Sequence, residues 1–196
     1  MGKIYCVMGK SASGKDTLYR MILKAVPELK EYVMYSTRPQ RAGEADGVTY
    51  HFTDPAYLEK MKEAGKLIES RVYKTVYGPW IYATVDDGQI CLERYSYLVP
   101  ATLESFLCLR NYYGEEQVVP VYIEVEDGER LLRAIGRERK QEKPKYEEMC
   151  RRFLADSRDF SEEKLASAGI ARRFENDLPE RAAEEIARMI REDMKA

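Results

Sequence analysis

Residues 9–17 read, directly after a short apolar run at residues 3–8, Gly9-Lys10-Ser11-Ala12-Ser13-Gly14-Lys15-Asp16-Thr17. The run fits the pattern G-x-x-x-x-G-K and leads into a predicted helix, Lys15–Ala25. Glycines let consecutive backbone N–H groups turn inward around a phosphate, and the helix N-terminus adds its partial positive charge. A plain glycine turn is the alternative, but the placement between a strand and a helix favours a phosphate site.

The position after the lysine holds Asp16, where the motif has Ser or Thr. A carboxylate can hold Mg²⁺ directly or through water, so Asp16 is the predicted metal ligand, with Thr17 a less favoured substitute. The lysine is expected to reach the outer phosphates of a bound ATP. The residues predicted to bind ATP and Mg²⁺ here are Gly9, Ser11, Ala12, Ser13, Gly14, Lys15, Asp16 and Thr17.

Bulk composition excludes several classes of function. The 196 residues carry a net charge of -2, which gives no overall attraction to nucleic acid or to an anionic membrane. No apolar stretch approaches the length of a membrane span. The four cysteines are widely separated and the chain has one histidine, so neither a zinc site nor a disulfide framework is expected. Reduced thiols in a cytoplasmic protein are the natural interpretation.

Strands and helices alternate along the chain, which predicts an α/β fold with a mostly parallel sheet covered on both faces. The irregular stretch at residues 36–53 is the main interruption. Strands are expected at residues 3–8, 32–35, 67–73, 80–85, 97–100, 118–125 and 172–174. Helices are expected at residues 15–25, 55–64, after residue 100 through 109, at 179–194, and over 129–158 with a break near Lys143 and Pro144.

The irregular stretch carries the most specific resemblance to a known family. Ser36-Thr37-Arg38-Pro39-Gln40-Arg41-Ala42-Gly43-Glu44, followed by Asp46-Gly47-Val48-Thr49-Tyr50-His51-Phe52, resembles the acceptor segment of guanylate kinases. Ile68-Glu69, Tyr77-Gly78 and Glu175-Asn176-Asp177 are also similar to that family. The resemblance implies a three-layer P-loop kinase spanning residues 1–196, with a core at 1–33 and 86–196. It also implies a small α+β acceptor-binding insert at 34–85 and a helical lid at about 134–150.

The same resemblance implies roles for individual side chains. Arg38, Arg41, Tyr50 and Tyr77 would hold the acceptor phosphate, with Gly78 beside them, and Glu69 would accept hydrogen bonds from guanine. Two arginines three residues apart in a loop can indeed converge on one phosphate, although surface arginines are common. Asn176 would lie near the adenine of ATP. His51 has no expected role, because phosphoryl transfer needs no imidazole.

A charged stretch at residues 129–158 has two interpretations. Its interleaved Glu and Arg residues suit a solvated helix face. Arginines that close over a transferring phosphoryl group would instead stabilise the charge that develops there. By resemblance Arg137 and Arg152 are the catalytic arginines of the lid, acting together with Lys15.

Three departures from guanylate kinases concern the acceptor. Met34 stands where the family has Ser, Pro79 where a hydroxyl residue would meet the base, and residues 97–102 lack an expected aspartate. Asp16 and the carboxylate-free strand look instead like ribose 1,5-bisphosphate phosphokinase. The leading expectation is transfer from ATP to GMP or dGMP by a monomer or homodimer. The alternatives are a kinase for another small phosphorylated acceptor, or a non-catalytic interaction module, which the intact phosphate loop disfavours.

Overall fold

The computed structural model describes residues 1–41, 43–75 and 78–195. Its elements follow in chain order as β1 (Ile4–Met8), α1 (Lys15–Ala25), β2 (Lys30–Glu31), β3 (Tyr35–Ser36), β4 (His51–Phe52), α2 (Pro55–Glu63), β5 (Leu67–Thr75), β6 (Gly78–Val85), β7 (Tyr97–Pro100), α3 (Leu103–Tyr113), β8 (Val118–Glu124), α4 (Asp127–Glu138), α5 (Tyr146–Asp159), α6 (Glu162–Ser167), β9 (Arg173–Glu175) and α7 (Pro179–Asp193).

A parallel sheet with strand order β2-β7-β1-β8-β9 forms the centre of the molecule. Strand β1 is buried along its whole length, and its side chains alternate between two apolar layers. Ile4, Cys6 and Met8 pack in the layer that contains α3, while Tyr5 and Val7 pack in the layer of α1 and α7. Period-two alternation with apolar residues on both faces is typical of a parallel strand between two helical layers. The predicted fold class is therefore confirmed.

A second, smaller sheet has strand order β4-β3-β6-β5. One of its faces packs on α2 through Tyr35, Leu58, Ala83 and Val85. Helix α2 begins where the sequence suggests, because Asp54 caps the Tyr57 amide at 2.8 Å and Pro55 follows. Thr84 and Tyr82 project from the opposite face, and α3 contacts this sheet along β5.

The prediction of one strand at residues 32–35 is wrong. Lys30–Glu31 pairs with β7 in the large sheet, whereas Tyr35–Ser36 pairs with β4 and β6 in the small one. Between them, the Tyr32 hydroxyl donates to the Val85 carbonyl and accepts from the Val85 amide, at 3.1 and 2.8 Å. This buried tyrosine fixes the crossing of the chain from one sheet to the other.

The expected break in the charged helical stretch is confirmed, since α4 ends at Glu138 and α5 begins at Tyr146. The short helix α6 was not predicted. Within the described residues, the model contains no helix with the length and apolarity that crossing a bilayer requires.

Candidate functional site

The phosphate loop connects the carboxyl end of β1 to α1. Gly14 precedes the helix with φ of 85°, and no side chain caps the first turn. A Cβ on Gly9 would lie 2.5 Å from the Ile123 carbonyl oxygen, so the loop passes too close to β8 for any other residue. Ala12, with φ of 62°, also adopts the left-handed conformation. The loop therefore has the backbone shape of an anion-binding turn at a helix N-terminus.

Asn176 supports this loop from below. Its side chain is buried, and its Nδ2 donates to the Ser13 carbonyl at 2.7 Å, directly under Gly14. The Asn176 backbone amide in turn donates to the Glu124 carbonyl at 2.9 Å. Asn176 thus ties the end of β9 to the phosphate loop, and its contact with adenine stays a prediction.

Lys15 lies in the first turn of α1, where burial lowers the pKa of its ammonium group. The carboxylates of Asp16 and Asp156 oppose that shift, whereas the guanidiniums of Arg130 and Arg137 add to it. The structure therefore brings the predicted lysine and one predicted lid arginine into the same electrostatic environment. Lys15 is desolvated and lies near other cations, so binding of a polyanionic ligand would stabilise its charged form.

A buried arginine that the sequence did not single out lies beside the loop. Arg130 in α4 is 1% exposed, and its Nε donates to the Ser11 carbonyl at 3.0 Å. Its guanidinium contacts Asp127, lies 3.5 Å from Asp156 Oδ2, and stacks over the Phe153 ring at 4.7 Å. We call Arg130, Asp127 and Asp156 the loop clamp. It fastens α4 and α5, on either side of the break, to the phosphate loop.

Asp156 also binds the loop directly. Its Oδ2 accepts a hydrogen bond from the Ser11 backbone amide at 2.6 Å. Inward-facing amides are what a phosphate loop offers to its ligand, so a carboxylate here occupies a donor that a phosphate oxygen could use. It also places a negative charge beside the triphosphate.

We expect Asp156→Asn to tighten ATP binding by about 3- to 10-fold, because the amide oxygen still accepts from Ser11 while the repelling charge is gone. Calorimetric titration with ATP would measure this. Asp159→Asn, on the exposed end of the same helix, is the matched control and should leave ATP binding unchanged. Unchanged or weaker binding in Asp156→Asn would contradict the competing role of this carboxylate.

The two predicted lid arginines lie on opposite sides of the break between α4 and α5. Arg137 and Arg152 both line a cavity of about 230 Å³ together with Ser11 and Arg130. The Arg152 Nε donates to Glu148 at 2.8 Å. The structure therefore brings both arginines to the edge of the phosphate loop, where they could meet a transferring group.

The predicted acceptor arginines differ sharply in environment. Arg38 is 5% exposed, and its guanidinium donates two hydrogen bonds to Glu44, at 2.7 and 2.5 Å. It also lies 5.0 Å from the centre of the Tyr50 ring. The side-chain bond from Arg38, with a backbone bond from Arg41, lowers the pKa of Glu44 to about 2. Arg38 is thus already neutralised by a bidentate partner.

Arg41 is exposed, and its guanidinium lies 5.9 Å from the centre of the Trp80 ring. Its backbone amide donates to Glu44 at 2.9 Å. Of the two arginines, Arg41 therefore has the guanidinium that is more accessible to an acceptor phosphate, while Arg38 and Glu44 shape the loop that presents it.

Glu69 lies on the face of the small sheet opposite α2 and is 7% exposed. The Thr84 hydroxyl donates to its Oε1 at 3.1 Å, and the Arg71 Nε lies 3.3 Å from its Oε2. Tyr50 lies at the other end of this face, with its ring 5.5 Å from that of Tyr82. Gly78 begins β6 with φ of 105°, and Tyr77 falls outside the described residues.

A cleft of about 1310 Å³ separates the small sheet from α3 and α5. Ser11 of the phosphate loop, Arg71 and Tyr73 of β5, Glu104 of α3 and Arg152 of α5 all line it. Of the predicted site residues, Ser11 and Arg152 line this cleft, whereas Lys15 lines a separate pocket with Asp16. Strand β5, which carries Glu69, borders the cleft through Arg71 and Tyr73.

Asp16 is exposed in the first turn of α1 and lines a shallow pocket with Lys15. Within the described part of the chain, no group of three or more His, Cys, Asp or Glu side chains could hold a metal ion. A lone carboxylate beside a phosphate loop nevertheless fits Mg²⁺, which protein sites hold through one or two carboxylates plus substrate phosphates and water.

Two of the family departures concern Met34, which has no polar side chain, and residues 97–102, which contain no carboxylate. Met34 packs half-buried against the core, and Ala101 is buried at the end of β7. The contacts that sequence reasoning missed are those of Arg71, Arg130 and Asp156. The spacing Glu69-x-Arg71 within a predicted strand was a signal for the contact between Arg71 and Glu69, because residues i and i+2 of a strand share a face.

Comparison with known proteins adds independent findings. A guanylate kinase family model matches residues 1–92. The guanylate kinase of Chromobacterium violaceum is 42% identical over 98 residues, 47% of each chain, and that of Chlorobium chlorochromatii is 32% identical over 119 residues, 60% of this chain and 61% of the other. The matches thus span about half the length of these curated relatives.

A solved structure extends the likeness over nearly the whole chain. The crystal structure of guanylate kinase from Anaplasma phagocytophilum superposes with a TM-score of 0.66, covering 98% of this chain and 86% of that one at 19% identity. At that identity the likeness establishes the fold alone.

Proposed function

We propose, from the premise of a guanylate kinase fold whose amino-terminal half matches that family, that the protein transfers the terminal phosphoryl group of ATP to GMP or dGMP. The observation that supports the proposal is the cleft lined by Ser11, Arg71 and Arg152, which places one edge of the phosphate loop and a lid arginine opposite the strand that carries Glu69. In this assignment residues 34–85 bind the acceptor, residues of about 134–150 form a lid, and the remainder is the core.

On the donor side, the loop amides and Lys15 would hold the phosphates of ATP. A Mg²⁺ ion held by Asp16 and those phosphates would neutralise charge as the bond to the leaving oxygen breaks. Arg137 and Arg152 would stabilise the negative charge on the transferring group. The acceptor phosphate is already an anion, so its oxygen attacks in line without a general base.

On the acceptor side, Arg41 and Tyr50 would grip the GMP phosphate while Glu69 reads the base. A bisphosphorylated sugar is the second candidate, because the Arg71 cation could meet a second phosphate. The adjacent Glu69 carboxylate argues against it: the pair is neutral overall, and a carboxylate repels a phosphate but accepts from the N–H groups of guanine.

The test is ADP release by the purified protein with ATP and Mg²⁺ against GMP, dGMP, AMP, UMP, CMP and ribose 1,5-bisphosphate. We expect kcat/KM for GMP or dGMP to exceed that for the other acceptors by about 100-fold or more, since polar pairing with a base discriminates strongly. A preference for the sugar phosphate would refute the GMP assignment, and no turnover with any acceptor would leave a binding module.

We expect Arg41→Ala to raise the KM for GMP by about 10- to 100-fold, because a charge-assisted hydrogen bond contributes about 1.5–3 kcal/mol. The KM for ATP should change little. Arg94→Ala, an exposed arginine near the amino end of the large sheet, is the control. Equal losses for ATP and GMP would contradict an acceptor role for Arg41.

A further inference from the structure

A carboxylate and a guanidinium lie side by side on the face of the small sheet opposite α2. Glu69 and Arg71 alternate on β5, and their antiparallel partners on β6 are Thr84 and Tyr82. Directly opposite residues of an antiparallel pair project to the same face. The side opposite is the one packed on α2, so the Glu69–Arg71 pair belongs to the ligand side.

The pair retains unused hydrogen-bonding capacity. Glu69 is 3% exposed and Arg71 20% exposed in their side chains, and the Arg71 Nη2 donates to Glu69 Oε1 at 3.5 Å. The Arg71 Nε and Glu69 Oε2 lie 3.3 Å apart as an ion pair, but neither atom forms a hydrogen bond with any residue that the structure describes. A ligand that offered well-aligned partners to both groups would therefore add hydrogen bonds that the ion pair itself does not form.

A guanine base presents the complementary pattern. Its N1–H and 2-amino groups are donors that suit a carboxylate, and the neighbouring O6 is an acceptor that suits a guanidinium. Adenine presents the reverse at two of these positions, with an unprotonated N1 and a 6-amino donor. The pair would therefore bind a 6-oxopurine and oppose a 6-aminopurine.

The side chains at positions 34, 79 and 101 leave this chain with few other ways to hold O6. Met34 and Ala101 offer no donor, and Pro79 lacks even a backbone N–H. We propose that Arg71 is a specificity-determining residue that donates to O6 of the acceptor's guanine while Glu69 accepts from N1–H and the 2-amino group. This inference rests on the proposed function.

Arg71 also lies near Tyr50, which is predicted to bind the acceptor phosphate. Burial raises the pKa of Tyr50, and the charges of the Arg38 and Arg71 guanidiniums both oppose that rise, so both cations lie near Tyr50. The Tyr82 ring, opposite Arg71 in the ladder, packs edge-on against Tyr50. Tyr50, predicted to bind the phosphate, and Arg71, proposed to bind the base, therefore lie close to each other on the small sheet.

The test compares Arg71→Met with the unaltered protein on three acceptors: GMP, IMP and the 5′-monophosphate of 2-aminopurine riboside, which lacks O6 and, with it, the N1 proton. Methionine keeps much of the side-chain length without a donor. We expect kcat/KM to fall about 10- to 100-fold for GMP and IMP, mainly through KM, and less than threefold for the 2-aminopurine nucleotide. Arg71→Lys should restore part of the loss.

Calorimetric titration with GMP and with ATP separates binding from folding, since ATP affinity should be unchanged in Arg71→Met. If kcat/KM fell equally for all three acceptors, Arg71 would only order Glu69. If kcat/KM did not fall for any of them, Arg71 would have no role in acceptor recognition. Either result overturns the inference. An unaltered protein that turns over a sugar phosphate but no GMP would refute the proposed function itself, before any variant is made.

Discussion

Replacing Lys15 by alanine is expected to reduce kcat by about 10³-fold or more. Lys15 lies in the first turn of α1, with its Nζ 3.4 Å from the Lys10 carbonyl of the phosphate loop. A cation that stabilises a transferring phosphoryl group, such as an arginine finger, contributes about 10³-fold or more to the rate. ADP release under single-turnover conditions would separate the chemical step from product release. Lys24→Ala, an exposed lysine in the last turn of the same helix, is the matched control and should keep full activity.

The pH dependence offers a second measurement of the same lysine. Burial lowers the pKa of Lys15 in the free protein, and the negative charge of bound phosphates would raise it again. ATP binding should therefore take up a proton at alkaline pH, and affinity should fall as pH rises above the lowered pKa. Lys15→Ala should lose this component. An alanine variant that kept a tenth of the activity would remove Lys15 from the donor site.

Arg130→Met is expected to lower the free energy of unfolding by about 3 kcal/mol or more. The change leaves the Ser11 carbonyl and the carboxylate of Asp156 facing a space that no longer holds a cation. Asp127 is half exposed and can recover water, so it contributes less to the loss. Urea denaturation followed by circular dichroism would measure the change.

A second variant tests the cause of that destabilisation. Arg130→Met combined with Asp156→Leu removes the uncompensated charge and should recover a substantial part of the stability, since replacing a whole ion pair by apolar groups costs far less than breaking it. A loss below about 1 kcal/mol in Arg130→Met alone would show that the loop clamp does not hold the fold together.

The fold was largely predictable because its main strands are long and apolar, as in β1 and β8. The failure at residues 32–35 has a physical reason. Strands of two residues carry no periodicity, and Lys30–Glu31 and Tyr35–Ser36 join different sheets. Helix α6 was missed for a similar reason, since six residues capped by Ser161 complete fewer than two turns.

The candidate site was predictable where the motif itself fixes backbone shape, as in the phosphate loop. Contacts made across the fold were not. Nothing local to Asp156 indicates that it reaches Ser11, 145 positions earlier in the chain. The pairing of Arg38 with Glu44 lay within one loop, yet a family pattern that assigns Arg38 to phosphate gives no reason to look for a carboxylate already bound to it.

Asp156 and Arg152 are four residues apart on α5, and therefore share one side of the helix. The first contacts the loop that receives ATP, and the second lies where the reaction would occur. A phosphate that displaced the Asp156 carboxylate from Ser11 would act on the same helix that carries Arg152. Under the proposed function, ATP binding and the position of the Arg152 guanidinium would therefore be coupled through α5.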